Sequence, residues 1–139
     1  MPTPAHILIV DDDELSREFM RTILRAEGCA VTTAESGGPA LEILKSGTVD
    51  LVLLDINMPG VDGFEVLTRL KNEGGADASI IMTSGRNDLE TVMRCVDLGA
   101  DSYLLKPVDP LLFVQRVLAS LQRRYTKQWK RDRSATQLA

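Results

Sequence analysis

Five short apolar runs, each followed by a segment of helical periodicity, constrain this chain more than any other feature. The runs are "HILIV" (6–10), "CAVTTA" (29–34), "DLVLLD" (50–55), "SIIMTS" (79–84) and "SYLLK" (102–106). They are short, mostly β-branched or leucine-rich, and too apolar for a sheet with one wet face. The first helical segment, about 14–27, places Leu15, Phe19, Ile23 and Ala26 on one face. The second, about 37–46, uses Ala40, Leu41 and Leu44; the third, about 63–73, uses Val66, Leu67 and Leu70. The fourth, about 88–98, shows Leu89, Val92, Met93 and Val96 at the spacing of one helix face. The fifth starts near Pro110 with Leu111, Val114, Leu118 and Leu121. Strict β-α alternation predicts an α/β domain, a parallel sheet with helices on both faces.

The chain ends of these segments agree. Asp62 stands three before Glu65 and Asn87 three before Glu90, both patterned like capping boxes. Asp109-Pro110 pairs an N-cap with proline at the first helical position. Gly28, Gly47 and Gly99 fall where helices should stop.

At 139 residues the chain fits one domain with a single core. The boundaries expected are a folded domain over 1–121 and a basic helical extension or linker over 122–139. No apolar run approaches the roughly 20 residues of a membrane span. The N-terminus lacks a basic segment and a long apolar stretch, so a cytoplasmic location is expected. Cys29 and Cys95 sit in apolar patterns and read as small hydrophobes, not a disulfide. Residues 1–120 carry 10 Lys+Arg against 19 Asp+Glu, a net −9; residues 121–139 carry 6 against 1, a net +5. An acidic body argues against nucleic-acid binding by the domain itself.

In parallel α/β sheets, ligands and chemistry gather beyond the carboxyl ends of the strands. Here strand 1 runs into Asp11-Asp12-Asp13, strand 3 ends at Asp55, strand 4 at Thr83-Ser84-Gly85, and strand 5 at Lys106-Pro107. If strands 1, 3, 4 and 5 are neighbours, several acids, a hydroxyl and an ammonium share one shallow pocket. Two carboxylates about 4 Å apart repel by roughly 4 kcal/mol at an effective dielectric near 20. Lys106 can offset one charge and a divalent cation two more. Few protein oxygens are on offer, which suits a hydrated Mg²⁺ better than a Ca²⁺ cage; Mn²⁺ could substitute. Taken singly, an Asp at a strand end is a turn or cap residue, and Asp13 fits that role. The functional reading rests on the conjunction.

These residues resemble the response-regulator receiver domain of two-component signalling. The likeness runs from about His6 to Leu121 and is carried by "ILIVDDD", "LLDINMPGVDG", "MTSG" and "ADSYLLKPVD". The resemblance implies a flavodoxin-like, doubly wound sheet of five strands in order 2-1-3-4-5. It makes Asp55 the acceptor of a phosphoryl group from a histidine kinase or histidine phosphotransfer protein. It makes Asp12 a direct ligand of Mg²⁺, Asp11 a ligand through water, and Asn57 the donor of a backbone carbonyl. Lys106 pairs with the phosphoryl oxygens, across an expected cis bond to Pro107. Ser84 is the switch hydroxyl and Tyr103 the aromatic that turns inward behind it. Counting back from Lys106 selects Ser84 over Thr83. The segment departs from the family pattern at Ser79, where a proline is usual, and at Gly85, which leaves the pocket open. The implied output is a change in the surface of the fourth helix, fifth strand and fifth helix, read by an effector, an output domain or a second copy of the chain.

The fifth helix carries its pattern on through Tyr125 to Trp129. From 110 to 129 it would span about 30 Å, against about 20 Å for a six-residue strand. Roughly two turns should overhang, as a partner or dimer surface or as a linker. Two other readings compete with the switch. A haloacid-dehalogenase-like phosphatase also uses an Asp nucleophile and Mg²⁺, but wants an Asp two residues on, where Asn57 stands. A flavodoxin-like cofactor carrier wants a phosphate-binding loop after strand 1, where three acids would repel phosphate. His6, at the head of strand 1, reads as structural.

Overall fold

A computed structural model describes residues 4–60, 62–72 and 77–138, with no side chains described for 128–138. The chain alternates as the apolar runs require: β1 (His6–Val10), α1 (Glu14–Ala26), β2 (Ala30–Ala34), α2 (Gly37–Leu44), β3 (Leu51–Asp55), α3 (Gly63–Asn72), β4 (Ser79–Ser84), α4 (Leu89–Asp97), β5 (Ser102–Leu105) and α5 (Pro110–Leu138). All strand pairs are parallel and the sheet order is β2-β1-β3-β4-β5. Reversal of direction at β1 leaves a crevice beyond the carboxyl ends of β1 and β3, the usual ligand position in such sheets.

Alternation along the strands splits the core into two layers. Ile7, Ile9, Leu51, Leu53 and Ile81 face α1 and α5, against Met20, Leu24, Phe113 and Val117. Leu8, Val10, Val52, Leu54, Ile80 and Met82 face the opposite layer, with Leu41, Leu44, Leu67 and Cys95. Each such side chain contributes about 1.5–3 kcal/mol by leaving water. The middle strands are therefore well anchored at the point where they hand over to the rim loops.

Local chemistry sets the helix starts. Asp13 accepts from the Leu15 N–H at 3.2 Å, Asp62 from Glu65 at 2.9 Å, and Asp109 from Leu111 at 3.2 Å. The α4 cap differs from expectation. Asp88, not Asn87, accepts from both the backbone N–H and the hydroxyl of Thr91, at 3.0 and 2.8 Å. The carboxylate thus takes both donors of Thr91, whereas an Asn87-Glu90 box would have satisfied the N–H groups of those two residues. Gly28, Gly47 and Gly99 close helices at positive φ, where a side chain would be strained.

Three helices turn a different face to the sheet than their widest apolar stripe suggests. In α1 the buried pair is Met20 and Leu24, while Leu15 and Phe19 are exposed. In α5 it is Phe113, Val117 and Ser120, while Leu111, Leu118 and Tyr125 are exposed. In α4 Cys95 alone is fully buried, and Leu89, Met93 and Val96 face solvent. The helix sits against the four-residue edge strand β5, which is too short to cover a whole stripe. Cys29 and Cys95 are both free thiols. His6 is tied in place, its ring nitrogens 3.1 Å from the Thr48 carbonyl and 2.7 Å from the Thr32 hydroxyl. α5 continues without a break through residue 121 to Leu138, with Tyr125 exposed. The Trp129 side chain lies outside the described residues.

Candidate functional site

The register carries the site residues to one rim. Val10 pairs with Leu54, Asp55 with Thr83, and Ser84 with Leu105, so Asp11, Asp55, Ser84 and Lys106 lie at the ends of four adjacent strands. The Lys106 N–H donates to the Ser84 carbonyl at 2.7 Å, extending the β4-β5 ladder to the lysine itself. The Lys106-Pro107 bond is cis. Gly63, at the start of α3, packs flat on this rim. A Cβ there would fall 2.3 Å from the Asp55 carbonyl oxygen and 2.8 Å from the Ile56 Cα. Only glycine lets α3 begin so close to the backbone of Asp55.

Asp11, Asp12 and Asp55 each offer an oxygen within 4.8 Å of the others. Asp11 is fully buried and Asp55 is 4% exposed, while Asp12 is open to solvent. The Lys106 ammonium bridges the two buried acids, 2.7 Å from Asp11 Oδ2 and 3.3 Å from Asp55 Oδ2. Burial pushes the Asp55 carboxyl up to about 6, with the Asp11 charge adding to the rise. The Lys106 charge and the Asn57 N–H, 3.1 Å from Asp55 Oδ1, oppose it. Burial alone would lower the Lys106 ammonium, but the hydrogen bond to Asp11 and the charges of Asp55 and Asp11 outweigh it and hold its pKa raised.

Ionised, the three acids and one lysine sum to −2, the charge a single divalent cation cancels. An all-carboxylate donor set with one open side suits a hard, partly hydrated ion such as Mg²⁺ or Mn²⁺. The residues present fit the ion that the family implies.

Ser84 is fully buried. Its Oγ accepts from the Asn57 side-chain amide at 3.3 Å and from the Arg86 N–H at 3.1 Å. Tyr103 is half-buried against the core layer beneath α4, and its hydroxyl is buried with no hydrogen-bond partner among the described residues. All seven residues singled out from the sequence thus lie at this rim or on β5 beside it. Two further groups had not been singled out. The Ser16 hydroxyl donates to Asp11 Oδ2 at 2.9 Å, and the Arg17 guanidinium to the Asp11 carbonyl at 2.8 Å. The sequence carried little signal for them: Asp13-Glu14 marks where α1 starts, but not which first-turn side chains fold back on Asp11.

Residues 7–118 match the response regulator receiver domain family, and the chain belongs to it. It is a two-component response regulator receiver with a flavodoxin-like fold. Among its relatives, the transcriptional regulatory protein CseB of Streptomyces avermitilis is 36% identical over 123 residues, which cover 88% of this chain and 52% of CseB. The two-component response regulator ARR6 of Arabidopsis thaliana is 34% identical over 134 residues, covering 88% of this chain and 72% of ARR6. A CheY-like receiver domain from Methanospirillum hungatei superposes with a TM-score of 0.83 at 31% identity, covering 90% of this chain and 99% of that one. The chain spans about half the length of most of the curated relatives it matches, 52% for CseB. The dehalogenase-like alternative finds no support in these likenesses. No helix among the described residues is long and apolar enough to cross a membrane.

Proposed function

We propose that Asp55 accepts a phosphoryl group from a phosphohistidine of a kinase or phosphotransfer protein, and that the resulting acyl phosphate resets the face formed by α4, β5 and α5. The observation that carries this reading is the lysine-bridged pair of buried carboxylates, one with its pKa near 6, at the rim of a receiver fold. An Asp55 oxygen attacks phosphorus in line. The O–P bond forms as the P–N bond to the donor imidazole breaks, and the imidazole leaves with the electron pair and takes up a proton. Such transfers need positioning and charge stabilisation rather than covalent help. A bound Mg²⁺, held by Asp12, Asp55 and the Asn57 carbonyl, and by Asp11 through water, would neutralise charge on the phosphoryl oxygens. Lys106 moves its ammonium from Asp11 to those oxygens, and Ser84 turns its hydroxyl to donate to them.

The donor's approach is open on one side. A groove of about 520 Å³ beside the acids is lined by Leu15, Phe19, Pro107 and Val108, together with Asp13, Ser16 and Lys106. Its apolar walls suit a helix face of the donor protein.

The response follows from two residues. Moving Ser84 toward the phosphoryl group breaks its bonds to Asn57 and the Arg86 N–H and draws the β4-α4 loop inward. Tyr103 then has space to enter and a partner to find; a buried hydroxyl without one costs about 1–3 kcal/mol. A shift from 1:99 to 99:1 needs about 5.5 kcal/mol, within reach of three charge-assisted contacts. The face that changes already carries apolar groups: Leu89, Met93 and Val96 of α4, Leu105 of β5, and Leu112 of α5, on the side where Arg116 reaches β5, are exposed. It is the surface for an effector, an output domain or a second copy. The catalysis confined to this chain is its own phosphorylation and dephosphorylation.

The test is incubation with phosphoramidate and Mg²⁺. One base-labile phosphoryl group per chain, mapped to Asp55 and absent from Asp55→Asn, is expected. Multiple turnover of a small phosphate ester, or normal labelling of Asp55→Asn, would contradict the reading.

A further inference from the structure

Asp11 Oδ2 receives two donors, Lys106 Nζ at 2.7 Å and Ser16 Oγ at 2.9 Å, and Oδ1 receives the Asp13 N–H at 2.9 Å. The carboxylate has no exposure to water, so these donors are what hold and solvate it. The lysine is shared, and lies 0.6 Å closer to Asp11 than to Asp55 (2.7 against 3.3 Å). Phosphorylation, as read above, requires the ammonium to leave Asp11 for the new oxygens on Asp55. When it leaves, a buried anion loses its strongest donor. Without a second donor on the same oxygen, Asp11 would either hold the lysine back or swing out of place.

We propose that Ser16 is a positioning residue of this site: its hydroxyl secures Asp11 Oδ2 so that Lys106 can transfer to the phosphoryl group. The serine is fitted for this by its place. It lies in the first turn of α1, whose start is fixed by the Asp13 cap, and it is half-buried and lines the groove. The Arg17 guanidinium, only 12% exposed, fixes the Asp11 carbonyl at the same time, so the backbone under the carboxylate does not follow the lysine. A hydroxyl is the right donor here. A second ammonium would cancel the charge that a cation needs, and a neutral donor leaves it intact. The role acts through Asp11 and Lys106, not on phosphorus.

The inference rests on the phosphoacceptor reading, and its test separates the two. The full chain, Ser16→Ala and Ser16→Thr are titrated with beryllofluoride at saturating Mg²⁺, followed by amide NMR. Alanine is a better helix former than serine, so the fold should survive the change. Loss of one donor from a buried carboxylate should weaken beryllofluoride binding about 10-fold in Ser16→Ala. Ser16→Thr, which keeps the hydroxyl, should bind within about twofold of the parent, a rescue that a packing role would not predict. Unchanged binding by Ser16→Ala, or an equal loss in Ser16→Thr, would overturn the role of the serine. Failure of the unaltered chain to bind beryllofluoride would instead sink the phosphoacceptor reading, and the role of Ser16 with it.

Discussion

The two ends of the sheet treat their charges in opposite ways. At the amino ends of the strands, Asp50 and Asp101 are each matched to a donor. Asp50 accepts from the His6 N–H at 2.8 Å and pairs with Arg124 at 3.5 Å; Asp101 accepts from the Ile80 N–H at 2.7 Å. These bonds close ladders that the strands leave open. At the carboxyl ends, three acids crowd around one ammonium that bridges only two of them, and Asp55 has its pKa displaced to about 6. The first end is arranged for stability. The second retains charge that the fold alone does not neutralise, as functional sites commonly do. The same sheet supplies both because each strand has an end in each environment.

The contrast is broken most strongly at Asp55. Asp55→Asn should lose all phosphoryl labelling yet gain stability, because it removes a carboxylate that is costly to ionise where it sits. The sign follows from the direction of the shift. A pKa raised from 3.8 to about 6 stabilises the fold relative to neutral pH while the group is protonated, and that stability is lost as pH rises through about 6. In metal-free buffer the variant should therefore match the parent below pH about 4 and exceed it by about 3 kcal/mol above pH about 7. Urea unfolding across that range measures the difference. A variant less stable than the parent at neutral pH would contradict the account of the site.

Asp101→Ala should do the reverse. It strands the Ile80 N–H at the head of β4 and should cost about 1–3 kcal/mol, with phosphoryl labelling of the folded protein unchanged. A loss of labelling without a loss of stability would show that the two ends are not separable. The smallest effect is expected on the exposed face of α4. Val96→Ser should change stability by no more than about 0.5 kcal/mol, since the side chain is 60% exposed. A large loss in unfolding experiments would mean that this stripe is already covered in the isolated chain.

How much of this was legible in the sequence differs by element. The five strands were plain, because runs such as "LVLLD" are apolar on both faces, while their order came only with the family resemblance. α2 and α3 were also plain, since Leu41, Leu44, Val66, Leu67 and Leu70 form their only apolar stripe and it is the buried one. α1, α4 and α5 were not. Each carries two stripes, one for the core and one for the surface, and periodicity cannot say which is which. Phe113 and Val117 share the spacing of Leu111, Val114 and Leu118; only the position of the helix over β3 and β4 decides between them. The acids and Lys106 were legible as strand-end residues. Ser16 and Arg17 were not, because nothing in the first turn of an exposed helix marks it as folded back on Asp11.

The account turns on whether the acidic rim takes up a divalent cation and whether Asp55 is part of what it meets. Carboxyl ¹³C NMR of Asp55, titrated with and without Mg²⁺, reads both at once. The expected midpoint is about 6 without metal, displaced downward by at least one unit at saturating Mg²⁺ as the cation takes the proton's place. A midpoint that Mg²⁺ leaves where it was would contradict the claim that these side chains form one cation-binding, phosphoryl-accepting site.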